Sequence, residues 1–202
     1  MTSVSIFIIY KKTNPNTYTF MSIGDGISLG LNPSGIKSYS YNDYIKKYLK
    51  DNNKEINYFN YSEKNISIAE LTNDIIYLNN KILKEYLQKS DLIIISIGEK
   101  EINDNKLIKT IEEDLTNLIT EIKKYNNNIC LLGRYNINEE RENLVKEINE
   151  VYKKVSKNNK INYINIDNSD YFINNNDYNY PTINGYEEIG KMLVKLIKLN
   201  NN

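Results

Sequence analysis

The sequence predicts one α/β domain, a three-layer α/β/α sandwich built around a five-stranded parallel sheet. Short β-like runs alternate with long helical runs, which is typical of successive βα units. The run LIIISI at 92–97 is apolar without alternation, as expected for a strand covered by helices on both faces. Because 202 residues suit one hydrophobic core, we expect a single domain.

The predicted strands are short runs rich in β-branched and aromatic residues, each followed by polar residues. They cover 18–23, 56–60, 92–97, 129–132 and 161–166. With right-handed crossovers between them, these runs form a doubly wound, flavodoxin-like sheet.

The predicted helices lie between the strands and after the last one, at 41–49, 68–87, 106–124, 139–156 and 184–199. Two of them show a clear apolar stripe at spacings of three and four residues. The stripes consist of Ile68, Leu71, Ile75, Leu78 and Ile82 in one helix and Tyr186, Ile189, Leu193 and Leu196 in the other. We expect both stripes to face the core.

The first 17 residues are expected to form an N-terminal segment and linker, so that the domain covers 18–202. The apolar run VSIFIIY at 4–10 is too short to span a bilayer, which needs about 20 residues. It is interpreted either as an extra edge strand or as the trailing end of an anchor or signal segment. We favour the second interpretation, which predicts a membrane-anchored or extracellular protein.

Composition excludes several classes of function. The chain has 26 basic residues (lysine and arginine) and 26 acidic residues (aspartate and glutamate), so its formal net charge is zero. This balance argues against a nucleic-acid partner. The single cysteine, Cys130, excludes an internal disulfide framework and a cysteine-rich metal site. Histidine is absent, which excludes any histidine-dependent mechanism and removes the commonest metal ligand. We expect neither a metal nor a cofactor.

Ligands meet such a sheet at the carboxyl ends of its strands. The loops predicted there contain GDGISLG, YSEKN, GEKE, GRYN and the segment 167–181. In this order they resemble the motif loops of the SGNH, or GDSL-like, hydrolase family, from about residue 18 to the end of the chain. The resemblance implies a flavodoxin-like fold and ester or acyl hydrolysis without a metal.

In that family a serine attacks and a histidine, oriented by an aspartate three residues earlier, acts as its base. The serine amide, a glycine amide and an asparagine side chain form the oxyanion hole. Here Gly26 stands at the serine position, Asn65 at the glycine, Lys100 at the asparagine and Tyr180 at the histidine. All four defining residues are replaced, so we predict a member that has lost ester hydrolysis.

Residues around these four positions keep the family pattern. Asp25 precedes Gly26, and Asp177 stands three residues before Tyr180, where the orienting aspartate belongs. Glu101 replaces the aspartate that follows the family's asparagine. The scaffold therefore looks inherited even though the reacting groups are gone.

Two rescue mechanisms are conceivable from residue types. Ser28 with Lys100 could form a nucleophile and base pair, but Ser28 lies about 200° around a helix from Gly26. We favour Ser28 as a first-turn hydroxyl that bonds to the backbone. Asp25, Glu101 and Asp177 could serve as paired carboxylates for glycoside hydrolysis, which requires a separation of about 5 to 10 Å.

Lys100 is predicted either to fill the old oxyanion region through an ion pair with Asp177 or Asp25, with the Tyr180 hydroxyl as a further partner, or to lie in solvent.

Three functions remain open. The first is a pseudoenzyme that binds an acylated glycan, lipid or peptide, with Lys100, Arg134, Tyr135 and Tyr180 holding a carboxylate or sugar. The second is a structural or partner-binding domain with a closed cleft, tethered to a membrane. The third is a weak hydrolase that uses the remaining amides of Gly26 and Asn65.

Overall fold

A computed structural model describes residues 16–77, 81–135, 139–167, 169–171 and 180–199. The predicted apolar segment at 4–10 and the predicted site residue Asp177 lie outside these residues. Thr17, assigned to the linker from the sequence, is the first residue of the first strand. Within the described residues, the first strand therefore begins one residue earlier than predicted.

The sheet has five strands, and every pairing between neighbours is parallel. The strands are β1 (Thr17–Gly24), β2 (Glu55–Ser62), β3 (Leu92–Ser96), β4 (Ile129–Leu132) and β5 (Asn162–Ile164). Their order is β2-β1-β3-β4-β5, so the direction of winding reverses between β1 and β3, where ligand crevices form in such sheets. The predicted α/β class and five-stranded parallel sheet are confirmed.

Eight α-helices lie within the described residues. They are α1 (Gly26–Leu29), α2 (Tyr41–Asp51), α3 (Ile68–Tyr77), α4 (Lys81–Lys89), α5 (Glu99–Asn103), α6 (Ile108–Lys123), α7 (Glu142–Asn159) and α8 (Ile183–Val194). Among them, none combines the length and the apolar character needed to cross a membrane.

Alternate residues of β3 enter two different hydrophobic clusters. Ile93 and Ile95 belong to a cluster that includes buried residues of α3, α4, α6 and α7. Leu92 and Ile94 belong to a second cluster, with buried residues of α2 and α8. Both faces of the strand are covered, which explains why its sequence is apolar without alternation.

The helix predicted at 68–87 is observed as α3 and α4, and residues 78–80 between them lie outside the described part. The predicted apolar stripe needs one correction. Ile82, predicted to face the core, is 56% exposed, whereas Leu83 and Leu87 are buried. One residue is about 100° of helix rotation, so placing Leu83 and Leu87 on the core turns Ile82 outward.

Candidate functional site

The predicted site lies where β1 and β3 end side by side. Gly24 pairs with Ser96 in the sheet and has a φ of 134°. A Cβ atom on Gly24 would lie 1.8 Å from the Ser96 carbonyl oxygen, so this close approach requires glycine. The Asp25 N–H donates to the same oxygen at 2.8 Å, and the Asp25 carboxylate caps α1 by accepting from the Ile27 N–H at 3.3 Å. The turn that carries Gly26 is thus fixed to β3.

Tyr180 occupies the space beside Gly26. A Cβ atom on Gly26 would lie 2.3 Å from a ring carbon of Tyr180 and 2.4 Å from its hydroxyl oxygen. Tyr180 is only 1% exposed. A serine at position 26 would therefore collide with Tyr180 unless that ring moved. The positions that the family gives to its nucleophile and its base are in direct contact.

Glu99, at the start of α5, contacts both residues. Its Oε1 accepts a hydrogen bond from the Tyr180 hydroxyl at 2.6 Å, and its Oε2 lies 3.4 Å from the Gly26 nitrogen. Burial, followed by this hydrogen bond from Glu99, raises the pKa of Tyr180. Tyr180 is therefore a neutral hydrogen-bond donor at any physiological pH.

Asp25 and Arg134 form a buried ion pair next to Glu99. Arg134 Nη1 lies 3.1 Å from Asp25 Oδ1 and 3.0 Å from Oδ2, and the side chains are 2% and 0% exposed. The Glu99 N–H donates to Asp25 Oδ2 at 2.9 Å. Burial raises the pKa of Asp25, while the Arg134 guanidinium opposes that rise. Burial, the largest single cause, lowers the pKa of Arg134, but the surrounding groups, with the Asp25 carboxylate first, together raise it above its ordinary value.

The backbone of Arg134 is held from α7. The Arg134 N–H donates to Asn149 Oδ1 at 2.7 Å, and Asn149 Nδ2 donates to the Arg134 carbonyl oxygen at 2.8 Å. Arg134 and Tyr135 were predicted to hold a ligand together. Arg134 is instead 1% exposed and turned toward Asp25, while Tyr135 packs against the second cluster.

Lys100 does not enter the site. Its Nζ lies 3.0 Å from Glu70 Oε1, and the side chain is 31% exposed. Of the alternatives predicted for Lys100, an ion pair with Asp25 is therefore wrong, because Arg134 takes that role. The alternative partner Asp177 lies outside the described residues. Lys100 follows Glu99 by one residue of helix, about 100° of rotation, so only one of these two side chains can face Asp25.

Glu101 joins α5 to α3 rather than lining the cleft. It is 1% exposed, and its Oε1 accepts from the Ile68 N–H at 2.9 Å and lies 3.8 Å from Lys106 Nζ. Burial raises the pKa of Glu101.

Asn65 is exposed with a φ of 61°, in the left-handed region that glycine favours, which suits a position where the family has glycine.

Ser28 is buried and bonded to its surroundings. Its hydroxyl donates to the Ile23 carbonyl oxygen at 3.0 Å and accepts from the Tyr41 hydroxyl at 3.1 Å. This is the backbone-bonded role favoured from the sequence, and neither contact of Ser28 is to Lys100.

Within the described part of the chain, no three histidine, cysteine or acidic residues are placed to hold a metal ion.

Sequence reasoning missed Glu99, which occupies the unspecified position between the glycine and asparagine of the family's third loop. One signal was available, because an acidic residue there begins a helix directly after a buried strand. Such a residue can face the neighbouring turn.

No model of a known protein family matches the sequence, and no curated protein matches it. Solved structures do match the fold. A lipase/acylhydrolase from Enterococcus faecalis matches with a TM-score of 0.72 at 20% identity, covering 92% of this chain and 100% of that chain. An acetyl xylan esterase from Geobacillus stearothermophilus matches with a TM-score of 0.70 at 16% identity, covering 93% and 99%. This chain therefore has the fold of these esterases and lipases.

Proposed function

We propose that this chain is an SGNH-like domain that has lost ester hydrolysis and serves as a structural or partner-binding domain with a closed cleft. The observation that carries this proposal is the Tyr180 ring, which fills the space that a side chain at position 26 would need. We also propose the three-layer α/β/α arrangement, which is supported by the two clusters on the opposite faces of β3.

The chemistry available at the cleft supports the same conclusion. Serine-type hydrolysis needs a nucleophile with a base within hydrogen-bonding reach. Position 26 has no side chain, and the chain has no histidine. Glu99 could act as a base, but its carboxylate already accepts from the Tyr180 hydroxyl.

A second candidate is a pseudoenzyme that binds an acylated glycan, lipid or peptide. The likeness to an acetyl xylan esterase favours this class, since folds often keep a binding crevice in the same place. The buried Tyr180 ring favours the closed cleft instead. Under either candidate, we propose that the apolar segment at 4–10 tethers the domain to a membrane, at the cell surface.

Hydrolysis of p-nitrophenyl acetate by the purified chain tests the proposal. We expect no rate above a buffer blank. The matched control is the triple variant Gly26→Ser, Lys100→Asn, Tyr180→His, checked for folding by thermal unfolding. Hydrolysis by the natural chain would overturn the proposal, and its loss in Lys100→Ala would show that this histidine-free mechanism uses Lys100. A rise in Tm with acetylated xylo-oligosaccharides would favour the second candidate over the first.

A further inference from the structure

The amide of Gly26 faces a carboxylate. In the hydrolases that the sequence resembles, the amide at this position points to the negative oxygen of the reaction intermediate. Here Glu99 Oε2 lies 3.4 Å from the Gly26 nitrogen. An anionic ligand at this place would therefore meet the negative charge of Glu99.

The other charges around the turn do not cancel that of Glu99. Arg134 forms an ion pair with Asp25, in which its Nη1 contacts both carboxylate oxygens. Lys100 pairs with Glu70. Lys106 lies 2.6 Å from Asp114. Each of these cations has another carboxylate as its hydrogen-bond partner, so Arg134 offsets the charge of Glu99 only in part and we expect this side of the cleft to be electronegative.

The shape of the same place fits an aromatic ring. Because Gly26 lacks a Cβ atom, the Tyr180 ring lies directly against its backbone. The ring belongs to the second cluster, together with Ile27 and Tyr186. Its hydroxyl donates to Glu99 at 2.6 Å, a short bond to a charged acceptor of the kind that is roughly twice as strong as a neutral one.

We propose that the cleft has become a binding position for a neutral hydroxyl carried on an aromatic ring, with Glu99 as the acceptor and Tyr180 as its built-in ligand. The proposal rests on the loss of ester hydrolysis proposed above, and it adds the chemistry that the cleft now accepts. It also predicts that anions are rejected, which is the opposite of what an oxyanion hole does.

The test replaces the built-in ligand with a free one. Tyr180→Ala leaves a cavity next to Gly26, and p-cresol has the ring and hydroxyl of the lost side chain. We expect p-cresol to raise the Tm of this variant more than toluene does, and 4-methylbenzoate to leave it unchanged. Equal effects of p-cresol and toluene, or stabilisation by 4-methylbenzoate, would overturn the proposal.

Glu99→Gln in the Tyr180→Ala background tests the acceptor. A neutral amide oxygen is a weaker acceptor than a carboxylate, so the affinity for p-cresol should fall about fivefold. Tyr186→Ala is the matched control cavity, because the Tyr186 hydroxyl donates to the carbonyl oxygens of Ile27 and Leu31. There, Glu99→Gln should not change p-cresol binding. A change in this control, or none in the Tyr180→Ala background, would contradict the role of Glu99.

If Tyr180→Ala does not fold, a double-mutant cycle on the intact cleft replaces it. Tyr180→Phe and Glu99→Gln should each lower the Tm, and the double variant should lose less than the sum. Additive losses would overturn the proposal. Ester hydrolysis by the natural chain would instead overturn only the proposed loss of activity, so the two failures are distinguishable.

Discussion

Two ion pairs near the ends of β1 and β3 each join a basic side chain to a carboxylate, but they differ in burial. Asp25 and Arg134 are buried, with 0% and 2% of their side chains exposed. The side chains of Lys100 and Glu70 are 31% and 54% exposed. An uncompensated charge is costly only where water is excluded, so the buried pair should control stability and the exposed pair should not. The sequence indicated Lys100 as a partner for Asp25, whereas the buried partner in the structure is Arg134.

The largest expected effect comes from Arg134→Ala. It leaves the Asp25 carboxylate buried without its guanidinium partner, which typically costs about 3–5 kcal/mol. Urea unfolding followed by circular dichroism measures the loss. Lys100→Ala, the matched exposed control, should leave the unfolding midpoint almost unchanged. Equal effects of the two variants would show that burial does not separate the pairs.

Gly26→Ala is expected to rank second. Its Cβ atom would lie 2.3 Å from the Tyr180 ring, and overpacking of this kind costs about 1–3 kcal/mol. The same substitution in a Tyr180→Ala background should be nearly neutral, because the colliding ring is gone. Urea unfolding of the four chains measures this coupling. Independent effects of the two substitutions would contradict the contact.

Tyr180→Phe should cost about 2 kcal/mol, since it removes one hydrogen bond to a charged acceptor and keeps the ring. The comparison is with Tyr186→Phe, which removes a hydroxyl that donates to neutral carbonyl oxygens. The Tyr180 variant should therefore have the lower urea midpoint, and equal midpoints of the two variants would contradict the bond to the Glu99 carboxylate.

The smallest effect concerns the exposed pair itself. The backbone N–H of Ser67, then its hydroxyl, then Lys100 lower the pKa of Glu70 to about 2. A lowered pKa means that the carboxylate stabilises the fold above its unfolded pKa of about 4.5, and that this contribution is lost as the pH falls toward 2. An NMR titration of Glu70 should show this low midpoint. Lys100→Ala should raise the midpoint only partly, because Ser67 contributes first.

The fold was largely predictable, because apolar patterning alone marks buried strands. The strand at 129–132 is observed with the same bounds, and the loop order led to the fold that the matching esterases and lipases have. The contacts within the site were less predictable. Neighbouring residues of a helix point about 100° apart, and only the docking of α5 decides whether Glu99 or Lys100 faces Asp25. Periodicity cannot supply that rotation for a helix of five residues.

The ion pair of Asp25 and Arg134 also has a consequence for folding kinetics. It joins residues 109 positions apart, from the end of β1 to the residues that follow β4. Because closing so large a loop costs entropy, we expect this contact to form after the strands between have assembled. Interactions that are absent from the transition state mainly slow unfolding. Arg134→Ala should therefore speed unfolding and leave the folding rate nearly unchanged, which makes this buried pair a determinant of how long the native state persists.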